Sequence, residues 1–157
     1  MASPTPPPAD TGHSPGLIRR LLSIIYDTLL IGGLLFLAMA LVVVALGVFS
    51  GWDHIDTESL RNNPLYISYL LMIPLLFFVG FWRAGGQTLG MRAWRLRIVA
   101  DGGIRPSVSA CIIRCLAALL SWAICGLGFL WILVDRKHLA WHDRLSKTYL
   151  VMVPKGG

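Results

Sequence analysis

Arg20, Ser23 and Asp27 are spaced by three and four residues, so on a helix they form one stripe, and the residues between them are all Ile, Leu or Tyr, Ser23 apart. At 1.5 Å per residue Asp27 lies about 10 Å deeper along that helix than Arg20. A lone carboxylate at the centre of a membrane helix costs about 2.5–3.5 kcal/mol, so it must face a partner or a cavity. Arg114, about two turns into a later apolar segment, is the expected partner, because it reaches a similar depth if both segments start on the same side. Ser107 and Ser121 stand seven residues to either side of it and extend a second polar stripe. Two kinds of chemistry fit such charges: an ion pair that fixes helix register, or a pathway for protons or ions.

The other candidates are weaker. Gly85-Gly86-Gln87-Thr88-Leu89-Gly90-Met91-Arg92 has the look of a phosphate loop but lacks the Gly-Lys-Ser/Thr of a nucleotide P-loop, and no buried strand precedes it. Gly85 and Gly86 instead suit a tight exit from a helix, with Leu89, Met91, Trp94 and Leu96 on the membrane interface. Arg92, Arg95 and Arg97 are then expected to contact anionic lipid headgroups, at about 1 kcal/mol each. His138 and His142 are four apart, with Asp135 and Asp143 flanking them, but they make no His-Glu-Xxx-Xxx-His motif and no metal is expected. Cys111 and Cys115 share a helix face as small packing residues, and with Cys125 they make an odd number that implies no disulfide framework. No Ser, His and Asp or Cys and His set has the context for nucleophilic catalysis, so neither an enzyme nor a cofactor is expected.

The elements that must carry these residues follow from composition. Of 157 residues 55% are hydrophobic and only 14% charged, with a mean hydropathy of +0.66. A soluble domain carries about a quarter charged residues, so soluble enzymes and nucleic-acid modules are excluded and a membrane protein is indicated. The net charge of +6 then reports cytoplasmic flanks and anionic headgroups rather than nucleic acid. Residues 1–16, with Pro4, Pro6, Pro7, Pro8 and Pro15, read as a disordered tail, residues 17–153 as the membrane domain and 154–157 as a C-terminal tail. The first apolar run, Leu17 to Phe49, is too long for a signal-peptide core and is expected to be retained; as a helix it spans about 50 Å. Leu65 to Trp82 is about the minimum for a crossing, with a kink expected at Pro74. In the third run Gly126 and Gly128 divide Ser107–Ala123 from Leu127–Asp135, predicting two short helices around a glycine turn, either a re-entrant hairpin or a fourth thin crossing.

Charge sets the orientation. Arg19 and Arg20 precede the first run, the next loop carries Asp53, Asp56 and Glu58 against Arg61, and the following one carries Arg83, Arg92, Arg95, Arg97 and Arg105. Arg136, Lys137, Arg144, Lys147 and Lys155 cluster near the end. The bias places both termini in the cytoplasm. Residues 95–100 and 148–153 are strand-like, and the first is followed by an Asp101-Gly102-Gly103 turn; the simplest partner for each is the other, in one small cytoplasmic sheet.

These pieces together resemble the RDD family of prokaryotic membrane proteins: the residues at 85–92, the strand at 95–99 with its turn, an Arg early in the next apolar run, and His142-Asp143-Arg144-Leu145-Ser146-Lys147-Thr148. The resemblance covers roughly Pro15 to Val153. It maps the Arg of the family's name to Arg20, the first Asp to Asp27 and the second to Asp143, with Met91 standing where the family often has Lys. It implies a membrane location and transport. The residues themselves also place Asp143 at the cytoplasmic edge, facing Arg20, with Trp141 anchored in the headgroups. The expected architecture is an all-α membrane protein, a small bundle of three to four transmembrane or re-entrant helices with a short cytoplasmic β element, in the bacterial inner membrane. Two functions remain open: a transport or ion-handling component, or a non-catalytic scaffold or accessory subunit whose charged network (Arg20, Asp27, Arg114, Asp143) only fixes packing. The expected partners are the bilayer and its anionic lipids, and a second copy or another membrane protein, since so few segments barely enclose a path.

Overall fold

A computed structural model of the chain describes residues 15–124, 126–135 and 139–153; the Pro-rich stretch before Pro15, His138 and the last four residues lie outside the described residues. The chain divides into two compact units, Thr28–Phe77 and the residues on either side of that segment.

Thr28–Phe77 holds most of two long helices, α1 (Leu17–Ser50) and α3 (Pro64–Gly85), with the short helix α2 (Thr57–Asn62) in the loop between them. Their lengths, about 51 and 33 Å, match or exceed a bilayer core of about 30 Å. Both are long and apolar enough to cross a membrane. Side chains such as Leu29, Phe36 and Leu71 stand exposed, which in water would be prohibitive and in lipid is the favourable state. The loop is polar because its helix ends need satisfying: Asp56 caps α2 by accepting from Glu58 N and Ser59 N, at 3.0 and 3.2 Å. Asn63 accepts from Leu65 N at 2.9 Å ahead of Pro64, which occupies the first helical position where its missing N–H costs nothing. Pro74 lies inside α3, which runs on as one helix.

The second unit contains the start of α1, the end of α3, and α4 (Leu89–Ala93), β1 (Leu96–Ala100), α5 (Val108–Ala123), α6 (Leu127–Leu130), α7 (Trp141–Ser146) and β2 (Thr148–Met152). The two strands pair antiparallel from Leu96 opposite Met152 to Ala100 opposite Thr148, as their patterning predicts. A two-stranded ribbon is marginal alone. Here it is covered, with Leu96 and Ile98 almost fully buried and Val99, Tyr149 and Val151 clustered with Leu139. Met91 and Leu96 therefore belong to this core rather than to the membrane interface, while Leu89 stays partly exposed. The reason is the period of two in β1, which turns Leu96 inward together with Ile98.

The third apolar run breaks as its glycines predict. Gly126 adopts a φ of 76°, and its N–H reaches Ser121 O at 2.7 Å. A side chain on Gly128 would collide with the Ser121 hydroxyl. The two pieces meet at a bend of 107°. The second piece, Leu127–Leu133, spans only about 10 Å, shorter than a bilayer core, so the bent pair reads as one broken span or as a re-entrant loop. α5 turns Cys111, Arg114, Cys115, Ala117 and Ser121 inward and exposes Leu116, Leu119 and Trp122. Arg114 is thereby aimed into the protein.

Candidate functional site

Asp143 is the third residue of α7, where its Oδ2 accepts from the Ala140 N–H at 3.0 Å and so caps its own helix. The same carboxylate meets two guanidiniums. Arg20, from the first turn of α1, donates from Nη1 to Oδ2 at 2.9 Å, and Nη2 of Arg114 lies 2.6 Å from Oδ1. The Arg114 contact is an ion pair without the angle of a directed hydrogen bond. Both arginines are held from behind. Arg20 Nε donates to the Pro15 carbonyl at 3.2 Å. Arg114 Nη1 donates to Thr148 Oγ1 at 2.6 Å, and its guanidinium stands 5.6 Å from the ring centre of Trp82.

Burial alone would raise the Asp143 carboxyl, but the Arg114 and Arg20 guanidiniums outweigh it and hold the group far below the usual carboxylate range. His142 goes the other way: burial lowers it to about 3, because the nearby Asp143 only partly offsets the loss of water. It is a neutral imidazole, packed 4.8 Å from the Phe129 ring. This cluster is a fixed anion between two fixed cations.

Asp27 is elsewhere. Thr88 caps α4 by accepting from Met91 N at 3.2 Å, and its hydroxyl donates to Asp27 Oδ2 at 2.5 Å. Asp27 Oδ1 accepts from Gly90 N at 2.8 Å. Gly90 must lack a side chain: a Cβ there would stand 2.5 Å from the Ser23 carbonyl oxygen and 2.9 Å from the Asp27 carboxylate. The residues at 85–92 are thus a bracket for a carboxylate. Gly86, at φ 69°, would put a Cβ 2.6 Å from Ile98 O, and Gln87 Nε2 donates to Leu96 O at 2.7 Å, so the bracket is locked onto β1.

The family model for the RDD family matches residues 14–147 of the chain. The chain belongs to the RDD family. No curated protein and no solved structure matches it. The three residues to which the RDD name maps, Arg20, Asp27 and Asp143, are all buried, yet they divide between two sites.

The structure brings Arg20 to Asp143 as the sequence predicts. The pairing of Asp27 with Arg114 is corrected: Arg114 goes to Asp143 and Thr148, and Asp27 to Thr88 and Gly90. Equal depth in two helices does not make two residues neighbours when one helix turns its charged face toward α7 instead. Sequence reasoning missed Thr88, Gly90, Thr148 and Ser146, whose hydroxyl lies 2.7 Å from that of Thr148. A Thr two residues before a Gly at a helix start is a legible sign for two donors, one hydroxyl and one unshielded N–H. Arg92 and Arg97 are exposed and Arg95 is half-buried in the left-handed region at φ 55°.

Proposed function

We propose that this membrane protein is a transport or ion-handling component in which Asp27 is the exchanging carboxylate and Asp143 belongs to the frame. The contrast between the two carboxylates carries the reading. Asp143 is neutralised by two guanidiniums and has no reason to change its state. Asp27 sits in an apolar span and, among the described residues, has only neutral donors, one hydroxyl and one backbone N–H. A hydroxyl can donate to a carboxylate or rotate to accept from the protonated acid, so the Thr88 side can serve both forms. Because almost nothing of the two spans is buried within the chain, a path across the bilayer would form between copies, which makes a homo-oligomer part of the proposal. The membrane is taken as the bacterial inner membrane with both termini cytoplasmic, on the strength of the charge bias.

A second reading has its own support. Both donors to Asp27 lie at the start of α4, so the carboxylate also ties that turn to α1, as a packing element of an accessory subunit would. Proteoliposomes separate the two. Flux of a panel of monovalent cations at several pH values is expected with the wild-type chain, and its loss with unchanged expression and melting in Asp27→Asn. Asp143→Asn is expected to fail earlier, in folding, since it leaves two buried guanidiniums without their anion. No flux for the wild-type chain over the whole panel, or full flux in Asp27→Asn, overturns the transport reading and leaves the packing one.

A further inference from the structure

Arg83, Arg92 and Arg97 all lie close along the chain or in space to the end of α3. Arg83 is in its last turn. A Cβ on Gly85, the last helical residue, would stand 3.7 Å from Nη2 of Arg92, and a Cβ on Gly86 would stand 3.1 Å from Cγ of Arg97. The fold of 85–92 onto β1 therefore sets the Arg92 guanidinium against Gly85 and the Arg97 stem against Gly86. All three side chains belong to exposed residues. None has an ion-pair partner among the described residues. Nor is a described carboxylate of this unit left over: Asp27 is bound by Thr88 and Gly90, Asp143 by Arg20 and Arg114, Asp135 by Arg144, and Asp101 by the Tyr149 hydroxyl.

Depth decides what such a cluster meets. At about 33 Å, α3 is as long as the hydrocarbon core is thick, so its end at Gly85 falls among the headgroups and not in bulk water. Guanidiniums present forked donors that match phosphate oxygens, and near an anionic surface each is worth a substantial factor in binding.

We propose that Arg83, Arg92 and Arg97 form a binding site for the phosphate headgroup of an anionic phospholipid at the exit of α3. The site stands apart from the Asp27 bracket and needs no ion flux to be detected. The full chain in detergent micelles is titrated with short-chain phosphatidylglycerol, short-chain phosphatidylcholine and inorganic phosphate, and bound molecules are counted by native mass spectrometry. Phosphatidylglycerol is expected to be retained roughly tenfold or more over phosphatidylcholine. The double variant Arg92→Gln with Arg97→Gln, both on exposed positions outside the buried core, is expected to lose about fivefold of that preference, and adding Arg83→Gln to abolish it. Arg61→Gln, in the loop between α1 and α3, is expected to leave it intact. A double variant with the wild-type preference, or an equal loss in Arg61→Gln, overturns the site. Displacement of the lipid by an equal concentration of inorganic phosphate overturns the lipid as its ligand in favour of free phosphate.

Discussion

His142 shows how one buried side chain makes an acid-sensitive protein. In the folded chain it titrates at about 3, against its ordinary value of 6.5. Above 6.5 neither the folded nor the unfolded chain holds the proton, and below it only the unfolded one does until the pH nears 3. The unfolded state binds more protons across that window, so stability is flat above 6.5 and falls as the solution is acidified. Asp143 acts with the same sign but in a lower window: its folded value is depressed, so its contribution is complete above 3.8 and is lost only at still lower pH. The melting temperature is therefore expected to drop between 6.5 and about pH 4. His142→Phe, which keeps a ring against Phe129, should flatten that drop. A slope unchanged in the variant would assign the sensitivity to another group. At this scale the sequence was informative about charges and silent about neutral donors. Arg20 and Asp143 stand out because charge is expensive in an apolar setting, whereas the N–H of Gly90 is carried by every residue but proline and leaves no mark.

Among the elements, the turn at 85–92 carries the sharpest steric constraint. The N–H of Gly90 can reach Asp27 only because α4 lies against the backbone of α1 at Ser23. Gly90→Ala is expected to cost about 1–3 kcal/mol, as overpacking does, and to lower the melting temperature of the detergent-solubilised chain. An unchanged melting temperature would mean that α4 can move off α1. Long elements were legible because their signal is long: α1 begins and ends within a residue of the apolar run, and the break at Gly126 falls where the two glycines place it. The two strands were legible as strands, and their pairing followed from the cost of leaving them single. What could not be read was rotation about the helix axis. The stripe through Arg114 is plain in the sequence, but the element it faces is set by the bend after α5, through which α7 is brought back against it.

For the molecule as a whole, two helices are long and apolar enough to cross a membrane, or three segments if the bent pair is one span, and the strand pairing joins the stretch after α3 to β2. β1 follows an arginine-rich turn and β2 follows Lys147, so the charge bias acts on both strands alike. A reporter fused to the C-terminus is expected to be active in the cytoplasm only. Activity outside would require the bent segment to cross and would separate the two strands by a bilayer, which their register forbids.

The ion pair between Arg20 and Asp143 links residues 123 apart. During synthesis Arg20 emerges well before Asp143, so α1 enters the membrane while its cation has not yet met that anion. Arg114 waits in the same way, though for a shorter stretch of chain. The nascent protein thus carries two guanidiniums without their carboxylate until α7 is made. Synthesis of α7 is itself the event that supplies the anion for both guanidiniums and closes this part of the fold.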